Sequence, residues 1–117
     1  MSRPFYITTP IYYVNDIPHI GHAYTTILAD VIARYQRSLD KNVFFLTGLD
    51  EHGQKVQDAA NSNKTDPLSH CNNMSKRFTD LWGKLHISNN DFIRTTQKRH
   101  TKVVQNILKE VMKNGDI

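Results

Sequence analysis

The segment FYITTPIYYVNDIPHIGHAYTTILADVIARYQR (residues 5–37) decides the fold. An apolar, aromatic and β-branched run at residues 4–9 predicts a strand, and a second such run, NVFFLTG (42–48), predicts another. Turn residues bound both runs, which is typical of strands buried on two faces. A helical pattern lies between them. Strand, loop, helix and strand in this order predict a βαβ unit with a right-handed crossover.

The helix between the two runs has an apolar stripe. Its members share one face at helical spacing: Tyr24, Ile27, Leu28, Val31 and Tyr35. Asp30, Arg34 and Arg37 fall on other faces. This pattern is typical of a helix whose apolar stripe packs on a sheet.

The middle of the chain predicts two further helices. Residues 50–61 indicate a loop that passes into a short helix, and TDP (65–67) supplies an N-cap with proline at the first helical position. In the helix that follows, one face carries Cys71, Met74, Phe78, Leu81, Trp82 and Leu85. We therefore expect Cys71 to lie in the core.

The last third of the chain predicts a strand at residues 91–96 and a helix at 97–114, with Gly115 as its C-cap. This helix carries Val104, Ile107, Leu108 and Val111 at apolar spacing. The whole pattern predicts an α/β fold with a parallel sheet in the doubly wound style. Three strands make a narrow sheet with exposed edges, so we expect the chain to be the first part of something larger.

Composition sets limits on partners and location. The formal charge of +4 comes from residues 81–117, which hold 7 Lys or Arg against 3 Asp or Glu. This bias suits phosphate or nucleic acid, but a solvated helix face is the favoured interpretation. The single cysteine excludes an internal disulfide and favours a reducing compartment. No run approaches the ~20 apolar residues of a membrane helix, and no leader is evident, so we expect a cytoplasmic protein without a membrane partner. We also expect no DNA partner.

The turn after the first strand carries the residues that are best suited to bind a ligand. Parallel α/β sheets bind ligands beyond the carboxyl ends of their strands, and residues 10–22 occupy that place. A helix N-terminus suits phosphate, Gly21 allows close approach, and His19 and His22 can donate hydrogen bonds to phosphate oxygens. Two alternatives stay open: the histidines cap the turn, or they form half of a metal site with His52.

A resemblance favours the phosphate-binding interpretation. Residues 5–37 and FFLTGLDEHGQKVQ (44–57) resemble the start of the methionyl-tRNA synthetases, a family of class I aminoacyl-tRNA synthetases. The family signature His-Ile-Gly-His occurs unaltered at residues 19–22. The resemblance weakens toward the end of the chain. It implies a Rossmann-like parallel sheet with flanking helices, and it places residues 1–117 in the N-terminal portion of the catalytic nucleotide-binding domain.

The resemblance also implies roles for seven residues. His19, Gly21 and His22 would bind ATP, with His19 and His22 stabilising the transition state of methionine activation, and Asn15 would lie beside the phosphates. The other three would hold methionine: Ile11 and Tyr13, in the loop after the first strand, would meet the thioether, and Asp50, after the second strand, would hold the ammonium group. Without the resemblance, Tyr13 could be a packing aromatic and Asp50 a helix N-cap.

The chain departs from the family pattern in places. Leu49 precedes Asp50 where relatives often have threonine, and Asp16 adds a negative charge near the phosphate loop. The second family signature, Lys-Met-Ser-Lys-Ser, does not occur, and NMSKR (73–77) resembles it by chance inside a helix. Neither Tyr12 nor His52 receives a role.

The implied function is that of a methionine–tRNA ligase. The full enzyme would activate methionine with ATP and Mg²⁺ and transfer it to tRNA(Met). The connective and anticodon-binding regions lie outside these residues, so any zinc would be held there, and we expect the 117-residue piece alone to be inactive. Two other functions stay open: a small nucleotidyltransferase with a His-x-Gly-His turn, and a non-catalytic module that binds methionine or a nucleotide. The oligomeric state stays open as well.

Overall fold

The computed structural model describes residues 3–117. Residues 1 and 2, which belong to the N-terminal segment considered above as a possible leader, lie outside the described residues. The elements follow one another as β1 (Phe5–Tyr13), α1 (Ile20–Ser38), β2 (Val43–Asp50), α2 (Gln54–Ser62), α3 (Pro67–Lys84), β3 (Asp91–Arg94) and α4 (Lys98–Asn114). The three strands form one parallel sheet in the order β1, β2, β3. The predicted α/β fold with a parallel sheet is confirmed.

Strand β1 is longer than the sequence predicts. The run at residues 4–9 extends to Tyr13, because an irregularity between Thr8 and Ile11 lets the strand continue past Pro10. Proline has no N–H for the ladder and is tolerated at such a bulge. Pairing with β2 then resumes at Ile11 and ends at Tyr13, opposite Asp50. The prediction that Ile11 and Tyr13 lie in a loop is therefore wrong.

The sheet is covered on one face only within the described residues. Val43, Phe45 and Leu49 of β2 are buried against the helices, whereas Phe44 is exposed and stacks on Tyr6 of β1. Alternate residues of a strand point to opposite faces. The prediction that both strands are buried on two faces is therefore wrong for these residues.

Helix α1 packs on the sheet through the face opposite to the predicted one. Each residue of the apolar stripe is 41–72% exposed. The buried residues are Thr26, Ala29, Asp30 and Ala33. Small side chains let the helix approach the sheet closely, and the carboxylate of Asp30 accepts from the backbone and hydroxyl of Ser88 and from Arg34. The hydrogen bonds between Asp30 and Ser88 thus connect helix α1 to the loop before β3.

The later elements follow the sequence more closely. Asp66 caps α3 with Pro67 at its first turn, and Cys71 is buried in the core, as predicted. Gly115 ends α4 at φ 79°, also as predicted. However, no residue of α4 is buried, so its apolar side chains face solvent within residues 3–117. No helix in this part of the chain is long and apolar enough to cross a membrane.

Candidate active site

The turn between β1 and α1 is closed by its own histidines. His19 is the N-cap of α1 in an extended conformation, and its Nδ1 accepts from the N–H of Gly21 at 3.1 Å. In return, Nδ1 of His22 accepts from the N–H of His19 at 3.1 Å. This reciprocal arrangement satisfies two backbone donors that a helix N-terminus leaves without partners. The histidines therefore do cap the turn, as one alternative held.

Capping leaves the other nitrogen of each ring available. A neutral imidazole that accepts at Nδ1 carries its proton at Nε2. His19 and His22 therefore each present an Nε2–H donor. Their rings are stacked, with centroids 3.8 Å apart, so both donors belong to one pair of rings at the start of α1. Capping and phosphate binding are compatible because they use different ring nitrogens.

Gly21 leaves room for the His19 ring, which folds back over it. A Cβ at Gly21 would lie 3.0 Å from Cε1 and 3.1 Å from Nδ1 of His19. Such contacts are tighter than ordinary packing allows, so a side chain would push the ring away. The close approach that the sequence predicts at Gly21 thus involves the His19 imidazole.

The His22 imidazole is kept neutral. Burial lowers the pKa of His22 below the usual histidine value, and the neighbouring His19 imidazole lowers it further by electrostatic repulsion of a second proton. Protonation would also place a hydrogen on Nδ1, which accepts the cap bond from His19. Near pH 7 the ring is therefore a neutral donor at Nε2.

We predict from the lowered pKa of His22 that the stability of the folded chain depends on pH. Between the lowered pKa of His22 and about 6.5, the unfolded chain binds a proton more readily than the folded chain. The stability from this site is therefore complete above about pH 6.5 and is lost as the pH falls through the folded pKa. An NMR titration of the ring should give a midpoint below 6.5. A midpoint at or above that value would contradict the assignment, and His22→Gln should remove the dependence.

A cleft of about 450 Å³ lies beside these rings. It brings together five of the seven predicted site residues, namely Ile11, Tyr13, Asn15, His19 and His22. Tyr13 is more than half exposed, so it is not a packing aromatic. Gly21 does not line the cleft and lies beneath the His19 ring instead.

Asp50 lies in a neighbouring cleft of about 410 Å³. Tyr13 lines both clefts and pairs with Asp50 across β1 and β2, which makes the clefts adjacent. Asp50 is the last residue of β2. It does not cap α2, because that helix begins at Gln54 and its N-cap is Gly53. The alternative that Asp50 is a helix N-cap is therefore wrong.

A third cleft lies apart from the predicted site residues. A cleft of about 490 Å³ lies on α3 and the turn before it, and it contains none of the predicted site residues. Within residues 3–117, no group of three or more His, Cys, Asp or Glu side chains is placed to hold a metal ion. The active-site hypothesis therefore concerns the two clefts at the ends of β1 and β2.

A buried ion pair supports the end of β2. Glu51 follows Asp50 directly, and its fully buried carboxylate accepts from Nε of Arg94 at 2.7 Å and from the hydroxyl of Thr96. The N–H of Glu51 donates to Oγ1 of Thr95 at 2.9 Å. These contacts join the carboxyl ends of β2 and β3, so they fix the backbone that carries Asp50.

Almost the whole chain matches one known protein family. The family model "tRNA synthetases class I (M)" matches residues 5–117. The chain belongs to this family. It is 56% identical to the methionine–tRNA ligase of Thermotoga maritima over 113 residues, which are 97% of this chain and 18% of the relative. It is 54% identical to that of Rickettsia typhi over 117 residues, which are 100% of this chain and 23% of the relative.

Solved structures agree with the family assignment. The methionyl-tRNA synthetase of Mycobacterium tuberculosis bound by methionyl-adenylate matches with a TM-score of 0.94 and 39% identity, over 97% of this chain and 22% of that one. The LeuRS of a LeuRS–tRNA–LeuAMS complex from Agrobacterium radiobacter K84 matches with a TM-score of 0.90 at 20% identity and shows the shared fold alone. The chain thus spans about a fifth of the length of the relatives and solved chains it matches.

Sequence reasoning missed several residues that pack around the candidate site. Tyr12 is buried beside His22, and buried His70 of α3 bonds through Nε2 to the carbonyl of Val14 at 2.7 Å. The alternation of β1 could have separated Tyr12 from Tyr13, had the strand been predicted to continue past Pro10. His52 lines the same cleft as Asp50 and makes two long contacts of 3.4 Å, from its N–H to Oδ1 of Asp50 and from its Nε2 to the carbonyl of Thr95.

Proposed function

We propose that the natural polypeptide that carries this sequence is a methionine–tRNA ligase. It would activate methionine with MgATP to methionyl adenylate and transfer the amino acid to tRNA(Met). Residues 1–117 would form the N-terminal portion of its catalytic nucleotide-binding domain. The observation that carries the proposal is the pair of Nε2–H donors at the start of α1, beside a cleft that adjoins Asp50.

The histidine pair suits the charge that develops at phosphorus. In activation, a carboxylate oxygen of methionine attacks the α-phosphorus, the bond to the bridging oxygen breaks, and pyrophosphate leaves. His19 and His22 would donate from Nε2 to phosphate oxygens, and the N-terminus of α1 adds a partial positive charge. Neither ring can abstract a proton at Nε2, because that nitrogen already carries one. Their role is electrostatic, with Asn15 in the same cleft beside the phosphates.

The second cleft suits the amino acid. Asp50 would pair with the α-ammonium group, and a fixed carboxylate is the natural partner of such a cation. Ile11, which lines the first cleft, and Tyr13, which lines both, would contact the thioether, which is soft and favours aromatic surroundings. Tyr13 lines both clefts, so methionine held there lies next to the phosphate donors. This adjacency is what a reaction between a carboxylate and ATP requires.

We propose the cytoplasm as the site of action. Cys71 is a free, buried thiol, and burial raises its pKa above the usual cysteine value. A free thiol of this kind suits a reducing compartment.

Replacing Asp50 with asparagine should weaken methionine binding. The change keeps the size of the side chain and removes the charge that would face the ammonium group. Hydrogen bonds to charged groups contribute about 1.5–3 kcal/mol, so we expect the KM for methionine to rise about 10- to 100-fold while the KM for ATP changes little. Steady-state kinetics at varied methionine would measure both. Asp16→Asn is the matched control, because Asp16 lines only the phosphate cleft. A methionine KM that moves equally in both variants would contradict the role of Asp50.

Exchange of labelled pyrophosphate into ATP tests the function itself. The natural polypeptide should catalyse exchange only when methionine is present. Exchange without methionine would indicate a nucleotidyltransferase, and binding of methionine and ATP without any exchange would indicate a non-catalytic module. Either result would overturn the proposal.

A further inference from the structure

The His22 imidazole is held from three directions. It stacks on His19 and meets the rings of Tyr12 and Phe78 edge to face, with centroids 4.8 Å and 5.2 Å away. Tyr12 also stacks on Phe78 at 6.0 Å. An aromatic cluster of this kind fixes the plane of a ring that has only one backbone hydrogen bond.

One polar contact ties this cluster to α1. The hydroxyl of Tyr12 lies 2.9 Å from Oγ1 of Thr26, and the two residues are 8% and 0% exposed. The hydroxyl of the neighbouring Thr25 donates to the carbonyl of Gly21 in its own helix. Thr26 instead turns its hydroxyl toward β1, so it connects the strand with the helix.

The hydrogen bond between Tyr12 and Thr26 can affect the position of His22, because Thr26 and His22 lie close together in α1. The two residues are four positions apart in α1 and therefore lie on one face, one turn apart. Holding Thr26 against Tyr12 fixes the rotation and height of the first turn of α1 over β1. That turn carries His22, so the bond sets where its Nε2 lies.

We propose that Tyr12 and Thr26 are positioning residues that hold the His22 imidazole against the substrate phosphates. The inference rests on the proposed function, which supplies the phosphates. A purely structural role does not explain the hydroxyl pair, because an apolar pair of the same shape can be as stable. The pair instead specifies one geometry for the ring, and a misplacement of about 1 Å is enough to slow a reaction greatly.

The test removes each hydroxyl in the natural polypeptide. Tyr12→Phe and Thr26→Val should each lower kcat for methionine-dependent pyrophosphate exchange on the order of 10-fold, with the KM for ATP changing less than about 2-fold. The double variant should be no worse than either single one, because both remove the same bond. Thr26→Ser keeps the hydroxyl and should retain the rate.

A matched control comes from a second buried hydroxyl pair. Oγ1 of Thr9 and Oγ1 of Thr47 lie 2.7 Å apart, and neither residue contacts His22 through the cluster described above. Thr47→Val breaks a bond of the same kind between β1 and β2. It should leave kcat unchanged, and it should also leave the ¹⁵N ring signals of His22 unchanged in the NMR spectrum.

The outcomes separate the inference from the function on which it rests. Loss of kcat with shifted His22 ring signals in Tyr12→Phe and Thr26→Val, but not in Thr47→Val, supports positioning. Unchanged ring signals in both variants, or an equal loss in Thr47→Val, overturn it. If no variant and no wild-type protein shows methionine-dependent exchange, the proposed function fails, and the ring signals alone still decide whether Tyr12 and Thr26 position His22.

Discussion

Replacing His22 with alanine is expected to slow methionyl adenylate formation by about 10²–10³-fold, the usual loss for a donor that acts in the transition state. The KM for ATP should change far less, because most of the negative charge on the phosphate oxygens near the donor develops only when pyrophosphate begins to leave. Pre-steady-state formation of the adenylate by the natural polypeptide would measure the rate, and equilibrium binding of ATP would measure the ground state.

Two further substitutions separate the nitrogens of His22. Glutamine places an amide N–H near the position of Nε2, whereas the shorter asparagine reaches only the position of Nδ1. If the reaction uses Nε2–H, His22→Gln should retain more activity than His22→Asn or His22→Ala. Asparagine should instead preserve the cap on the N–H of His19, a contact of about 1 kcal/mol. An equal loss of ATP binding and of rate in all three variants would contradict a transition-state role.

Replacing Arg94 with alanine is expected to lower the local free energy of unfolding by about 3–5 kcal/mol, because it leaves the buried carboxylate of Glu51 without its cation. Arg94 also donates to Oδ1 of Asn72 at 2.7 Å. The amides of Glu51 and Thr95 bond between the ends of β2 and β3, so their hydrogen exchange should accelerate. Since Asp50 precedes Glu51, the KM for methionine should rise as well.

The chain offers a matched control for this prediction. Arg99 pairs with Asp91 at 2.5 Å on the surface, where both side chains are substantially exposed. Water screens an exposed pair, so Arg99→Ala should have a much smaller effect than Arg94→Ala. Replacing both members of the buried pair, as in Glu51→Leu with Arg94→Met, should recover much of the lost stability. If Arg94→Ala costs no more than Arg99→Ala, the buried pair does not support the site.

Much of the fold could be predicted because the signals are local. An apolar run, a capping residue and a C-terminal glycine each depend on a few neighbouring positions, as at Asp66 and Gly115. The packing face of α1 could not be predicted in the same way. Periodicity shows which residues share a face, but the sheet is approached through small Ala29 and Ala33, and Asp30 is buried because Ser88, 58 positions later, donates to it.

The candidate site was predictable where one motif contains it. The signature at residues 19–22 contains its own hydrogen-bond partners, since the His19 ring accepts from the N–H of Gly21 and the His22 ring accepts from the N–H of His19. Residues that depend on distant segments were missed. Tyr12 needed the strand to continue past Pro10, and the role of Glu51 needed the end of β3 to lie beside it. Contacts between residues far apart in sequence leave no local pattern to read.

A crystal structure of the natural polypeptide with methionyl adenylate would test the central claim most directly. We predict that phosphate oxygens lie within hydrogen-bond distance of Nε2 of His19 and His22, and that the ammonium group lies on the carboxylate of Asp50. The thioether should contact Ile11 and Tyr13. An adenylate bound away from the start of α1, or one whose phosphate meets neither imidazole, would contradict the account.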